Sequence, residues 1–226
     1  MTSAEPIRSF HELPDRQKAE ISALFIRKEY QPDEYVFFEG NDPVHLWFVD
    51  QGRIKLLKHS DTGKDVIVTV ISAGTFLGEA ALRTGEAYSV TAQAVEPTVM
   101  LLFPEDTYQH LLQRYPELSV LIIGGLEERL EEAYDTLRSM AVERVERRIA
   151  RLLLRLASTV GKQTKDNHIM IDMPLTRQEI AEMTGTTVES AIRVMSKLRK
   201  QGIIASGSGK ILLSNPHGLV TIADEL

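Results

Sequence analysis

Residues 175–204 read L-T-R-Q-E-I-A-E-M-T-G-T-T-V-E-S-A-I-R-V-M-S-K-L-R-K-Q-G-I-I, and few folds accept that order. Thr176 followed by Glu179, and Thr186 followed by Glu189, are two helix starts of the capping-box kind. Gly185 stands between the two segments, where a tight turn needs a positive φ that only glycine adopts easily. Ala181 is small enough for two helices to cross closely, and Ile180, Ala191, Val194 and Leu198 recur at helical spacing as an apolar seam. Two short helices joined this way predict a helix-turn-helix, whose second helix enters the major groove of DNA.

The second of these segments carries base-reading chemistry. Glu189 and Arg193 lie four residues apart and share a helix face. An arginine grips O6 and N7 of guanine with two hydrogen bonds, and a glutamate accepts from N4 of cytosine. The competing reading is that Glu189 completes its capping box and pairs with Arg193 on a solvated surface. The expected DNA-facing set is Thr176, Arg177, Thr187, Val188, Glu189, Ser190, Ile192, Arg193 and Lys197. Lys210 joins it from the segment I203-I204-A205-S206-G207-S208-G209-K210-I211-L212-L213, a β-hairpin or wing able to follow a phosphate backbone.

Charge supports a division of labour. The formal net charge of −6 hides an asymmetry: residues 1–142 hold 13 Lys and Arg against 23 Asp and Glu, whereas residues 143–226 hold 13 against 9. An acidic first part before a basic last part suits a sensory domain joined to a nucleic-acid-binding one. The 226 residues suffice for two cores. With no cysteine, disulfides, thiolate redox sensing and cysteine-ligated iron–sulfur clusters are excluded. Residues 1–10 carry no signal-peptide apolar region, and no run approaches the roughly 18 apolar residues of a membrane span, so a cytoplasmic location is expected.

From Glu34 to Phe103, short β-like runs alternate with glycines 40, 52, 63, 74, 78 and 85. Strands at roughly ten-residue spacing predict a barrel, roll or sandwich, and Thr62-Gly63 a hairpin turn. Pro14 to Ile26 reads as helix. A long helix begins after Tyr115, with Pro116 suited to its first turn. Along it Ile123, Leu126, Leu130, Ala133, Leu137 and Met140 step by three and four, an a/d seam expected to form a parallel dimer interface. A helix packed on its own domain would show a similar stripe. The expected domains are 1–115, a β-roll sensor; 116–142, dimerisation helix and hinge; and 143–226, a winged helix-turn-helix. The fold class is thus α+β. A further helix is expected over Arg144–Ala157, a loop over Gly161–Asn167, and a short surface helix from Asn215.

This order of parts resembles the CRP/FNR family of bacterial transcription regulators over nearly the whole chain. F38-E39-G40-N41-D42-P43 resembles the family's early roll turn. F76-L77-G78-E79-A80-A81-L82, followed by Y88-S89-V90-T91-A92, resembles its phosphate-binding cassette. T176-R177-Q178-E179-I180-A181 with Val188, Glu189 and Arg193 resembles its DNA-reading unit. The resemblance implies a homodimer on a double-stranded palindromic operator related to TGTGA or TTGAT, with RNA polymerase as a further partner and the Gly161–Asn167 loop as a positional guess for that contact. It also implies departures. Where cyclic-AMP binders carry Arg-Ser, this chain has Tyr88-Ser89, and tyrosine offers no charged fork to an anion. The dimer helix has Ala133-Tyr134 in place of small hydroxyl residues. Cyclic AMP is therefore not the expected effector. Val188 matches the FNR type, whereas Ile192 replaces that type's serine, so the half-site is expected to be related to both without matching either.

The expected effector site comprises Gly78, Glu79, Ala80, Tyr88, Ser89, Arg129 and Tyr134, with a Glu79–Arg129 ion pair in a closed, ligand-free roll as the alternative. The six histidines, His11, His45, His59, His110, His168 and His217, show no metal-ligand spacing. One histidine suffices as an axial haem ligand, so a haem-based gas sensor stays open, although no feature selects one. A regulator active without any small ligand, and a cyclic-nucleotide-binding-like regulatory subunit, are the remaining alternatives. No G-x-S-x-G, H-E-x-x-H or Walker A motif is present, so no enzyme is expected.

Overall fold

The computed structural model describes Arg16, Glu20, Ile21 and residues 24–59, 65–164, 166, 168–207 and 209–224. The chain forms two compact units, Met1–Leu130 and Glu131–Leu226.

The first unit is built on two antiparallel four-stranded sheets. One runs β1 (Ile26–Tyr30), β8 (Thr98–Pro104), β3 (His45–Gln51), β6 (Phe76–Leu77); the other β2 (Tyr35–Phe37), β7 (Thr91–Ala94), β4 (Arg53–His59), β5 (Asp65–Ser72). Side chains of a strand alternate between faces, and here the alternation feeds two cores. Trp47, Val49, Met100, Leu102 and Leu77 pack with Phe37, Ile54, Leu56, Ile71 and Ala92 of the second sheet inside the roll. Leu46, Phe48, Leu101, Phe103 and Phe76 pack instead with Ile21, Leu82, Leu111, Tyr115, Leu118 and Ile122. A sheet covered on both faces needs continuous apolar runs, and L46-W47-F48-V49 and V99-M100-L101-L102-F103 are such runs.

The covering residues come mainly from helices α1 (Glu79–Thr84), α2 (Glu105–Arg114) and α3 (Pro116–Val142). Two expectations need adjustment. Arg16, Glu20 and Ile21 are helical, but Ile26 opens strand β1, so the helix read over Pro14–Ile26 stops short of its expected end. That strand lies at a sheet edge, and its Arg27, Lys28 and Glu29 are exposed, which masks its β-character in the sequence. The Thr62-Gly63 turn lies outside the described residues, although the strands around it pair antiparallel.

The second unit begins within the long helix. After Val142 the backbone turns extended at Arg144 (φ −68°, ψ 149°), and α4 (Val145–Val160) follows. Its buried face is Ile149, Leu152, Leu153, Leu156 and Val160, one stripe at helical spacing. Then come α5 (Arg177–Met183), α6 (Val188–Lys200) and α7 (Pro216–Asp224). The wing is larger than the expected hairpin. Strands β11 (Ile204–Gly207) and β12 (Lys210–Leu213) extend into a sheet of order β11-β12-β10-β9, where β9 is Gly161–Gln163 and β10 is Ile169–Ile171. Gly161–Gln163, at the start of the Gly161–Asn167 segment expected as loop, is thus strand. Gly161 permits it, because a Cβ there would strike the carbonyl oxygen of Ala157.

Gly52, at the β3–β4 turn, has φ +84°, and an added Cβ would come within 2.5 Å of Thr98 Oγ1 and 2.7 Å of Pro97 O. Gly52→Ala combines a left-handed backbone with overpacking, and is expected to destabilise the roll by about 2–4 kcal/mol. Urea titration followed by Trp47 fluorescence checks this; an unchanged midpoint contradicts it.

Candidate functional site

The helix-turn-helix is set by its caps. Thr176 Oγ1 accepts from Glu179 N at 3.1 Å, and the Glu179 carboxylate accepts from Thr176 N at 2.7 Å, closing a capping box. Gly185 has φ +58°, and Thr186 N donates back to Ala181 O at 2.9 Å. That bond makes Thr186 part of the turn, so the expected cap at Thr186 is displaced by one residue. Thr187, extended at φ −84° and ψ 153°, caps α6 by accepting from Ser190 N at 3.2 Å. A capping box needs its carboxylate at the third helical position, which is now Ser190. Glu189 sits at the second, exposed, and its own backbone N–H followed by the Thr187 side chain holds its carboxyl below the usual range.

Helix α6 buries Ala191, Val194, Met195 and Leu198 and turns the opposite face outward. Glu189, Ile192, Arg193, Lys197, Arg199 and Lys200 are exposed, with Val188 and Ser190 half-buried. Arg193 makes no ion pair with Glu189; its Nη2 reaches Ser190 Oγ at 3.4 Å. Lys197 is held by Glu146 of α4 at 2.8 Å. Arg177 is half-buried, and burial, then the charge of Arg199, lowers its pKa.

Lys210 is not a free wing lysine. Its ammonium pairs with Asp172, as does that of Lys162, and these two hydrogen bonds lower the Asp172 carboxyl to about 2. Sequence reasoning missed Lys162 and Asp172, because β9 and β10 were not recognised as strands. The wing is joined to the start of the helix-turn-helix by a Leu175 N to Gly209 O bond of 3.2 Å.

In the roll, Gly78 (φ +85°) precedes α1, and a Cβ there would come within 3.2 Å of His45 O, Trp47 and Tyr88. Glu79, its side chain 6% exposed, pairs with Arg129 Nη2, while Arg129 Nε donates to Gly125 O at 3.0 Å. Glu79 Oε2 is buried without a hydrogen-bond partner. Burial, and secondarily the Glu79 charge, raises the phenol pKa of Tyr108. Tyr88 is a core residue: its ring stacks on Phe37 at 4.2 Å, its hydroxyl donates to His45 O at 3.1 Å, and it accepts from Trp47 Nε1 at 3.0 Å. Ala80 and Ser89 are exposed, and Ser89 O accepts from Lys58. The fold therefore gathers Gly78, Glu79 and Tyr88 near one another and joins Arg129 to Glu79. Tyr134 belongs to the second unit and is 62% exposed.

Along α3, Ile123, Leu126, Leu130, Leu137 and Met140 are 39–63% exposed, Ala133 is exposed as well, and Val120, Tyr134 and Val142 extend the apolar surface. Among the described residues no group of His, Cys, Asp and Glu is placed to hold a metal ion, and no helix is long and apolar enough to cross a membrane.

Comparison with known proteins agrees with this architecture. Residues 27–115 match the family model described as a cyclic nucleotide-binding domain, and residues 147–222 the Crp-like helix-turn-helix domain. The chain is 28% identical over 186 residues to the global nitrogen regulator of Synechocystis sp., spanning 81% of this chain and 82% of that protein. It is 28% identical over 177 residues to the cAMP-activated global transcriptional regulator CRP of Haemophilus influenzae, 78% of each chain. The crystal structure of a CRP/FNR-family transcriptional regulator from Thermus thermophilus matches with a TM-score of 0.76 at 25% identity, covering 88% of this chain and 99% of that one. With a roll of this topology followed by this helix-turn-helix, the chain belongs to the CRP/FNR family, whose members are DNA-binding transcription regulators and not enzymes.

Proposed function

We propose that this regulator acts as a cytoplasmic homodimer that reads a palindromic operator with α6, under control of a signal at the β-roll other than a cyclic nucleotide, and with RNA polymerase as a further partner. The observation that carries the proposal is the outer face of α6, where Glu189, Ile192 and Arg193 stand exposed beside one another. Arg193 offers two donors to guanine, Glu189 an acceptor to cytosine, and Ile192, 50% exposed, an apolar surface for a thymine methyl. Lys210 and Lys162, paired through Asp172, offer positive charge for phosphates of any sequence. The exposed stripe of α3 supports dimerisation, since a partner helix in heptad register would cover the seam residues Ile123 to Met140.

Two features of the roll speak against a cyclic nucleotide. Tyr88 supplies no guanidinium, and its hydroxyl is already engaged with Trp47 and His45. Arg129, the nearby cation, is engaged by Glu79. The same ion pair favours, as a second reading, a roll that takes no small ligand.

Arg193→Ala is expected to cost about 1–3 kcal/mol on the preferred operator and to relax selection at one G·C pair per half-site. Selection from a random DNA pool gives the binding logo for wild type and variant; identical logos contradict the assignment. For the roll, breaking a buried charge contact costs about 3–5 kcal/mol, and a tenfold change costs about 1.4. Lack of the phosphate-gripping arginine therefore moves a micromolar ligand to the millimolar range. Isothermal titration is expected to show no saturable heat with micromolar cyclic AMP. A low-micromolar dissociation constant would contradict this and direct attention to Arg129.

A further inference from the structure

Within the second unit, the last turns of the long helix, α4, the end of α5 and the end of α7 enclose a cleft of about 320 Å³, at the lower end of the range typical of small-molecule sites. Arg148, Arg151 and Arg155 line it from α4. They lie three, four and seven residues apart and so share one face. Their partners leave cationic capacity unspent. Arg148 donates to two backbone carbonyls, Met140 O at 3.1 Å and Gly185 O at 3.3 Å, and its Nε is buried without a partner. Arg155 donates to the Thr136 hydroxyl at 3.3 Å. Among the described residues neither faces a carboxylate in an ion pair. Arg151 lies 3.2 Å from Glu143, but Glu143 also serves Arg147 at 3.6 Å and Ser139 at 2.6 Å, and Arg151 Nε lacks hydrogen-bond alignment.

Two carboxylates also line the cleft. Asp135 is taken up by Arg138 at 3.3 Å, and Asp224 is exposed. The rest of the wall includes Leu152, Leu154 and Met183, which are apolar. Buried guanidinium N–H groups without acceptors are costly, and a carboxylate or phosphate is the acceptor that matches their geometry.

We propose that this cleft binds a small organic anion, with a carboxylate or phosphate head on Arg148 and Arg155 and an apolar body against Leu152 and Met183. Such a ligand touches Thr136 and Met140 of the long helix together with Met183 and Thr184 at the end of the first helix of the helix-turn-helix. If DNA and the ligand favour different arrangements of these segments, or the same one, the ligand changes DNA affinity by the same factor by which DNA changes ligand affinity, at most by the ligand's own preference between arrangements. The lining residues all belong to the second unit, so the chain would receive a chemical signal inside its DNA-binding unit.

The test uses the full chain without DNA, so that its failure is independent of operator reading. Hexanoate, hexyl phosphate and hexylammonium are titrated calorimetrically into wild type and Arg155→Gln. Saturable binding of hexanoate or hexyl phosphate is expected at about 1 mM or tighter, the range open to a ligand of this size. The tighter of the two identifies the head group. Hexylammonium should not bind, and Arg155→Gln should weaken anion binding about tenfold or more. Should Arg155→Gln fail to fold, Arg155→Lys keeps the charge but loses the fork, and an intermediate weakening is expected. Absence of saturable anion binding, equal binding of hexylammonium, or equal binding by the folded variant would overturn the site.

Discussion

The DNA-facing geometry of the second unit depends on the crossing of α5 and α6. Ile180, Ala181, Ala191, Val194 and Leu198 are all buried there, two of the five being alanine. Alanine at a crossing brings helices close, and close helices leave little freedom in the turn between them. Gly185 in the left-handed region, the Thr186 N to Ala181 O bond and the buried Thr184 hydroxyl on Ile180 O at 2.6 Å complete that turn. The crossing therefore decides which residues of α6 point outward. A larger residue at Ala181 would rotate or displace α6 and with it Glu189, Ile192 and Arg193, without touching any of them.

In the roll, a comparable constraint acts around Gly78 and Tyr88. One sheet carries apolar side chains on both faces, so the space between the sheets is a packed core in which Tyr88 is a structural member. The residue at the position where the resemblance implies an anion grip thus stacks on Phe37. Close by, Glu79 and Arg129 form a largely buried ion pair through Glu79 Oε1, which leaves Glu79 Oε2 without a hydrogen-bond partner. Such a pair is weak evidence for stability, but removing either partner alone leaves an uncompensated charge. Any signal at this site has to work against the pair or through it.

Much of this architecture is legible in the residues. The capping box of Thr176 and Glu179, the helical spacing of the buried seam and the apolar runs of β3 and β8 each have one reading that satisfies local and tertiary demands together. Legibility failed where two local solutions had equal merit. Thr186 and Thr187 are equally able caps, and only the turn bond of Thr186 assigns the role to Thr187. Strand β1 carries charged exposed side chains because it is an edge, and β9 is three residues long, so neither shows a β-pattern. The Lys162–Asp172–Lys210 cluster depends on strand pairing between β9, β10 and β12, and the arginine-lined cleft on helices distant in sequence. Both are products of tertiary structure that no window of sequence contains.

In the proposed dimer, two copies of α6 read one face of a duplex together. Hydroxyl-radical footprinting of the purified protein on a fragment selected for tight binding tests it most directly. Two protected regions related by a dyad and centred about one helical turn apart, roughly 34 Å, are expected. A single protected region, or uniform protection without sequence preference, would contradict it.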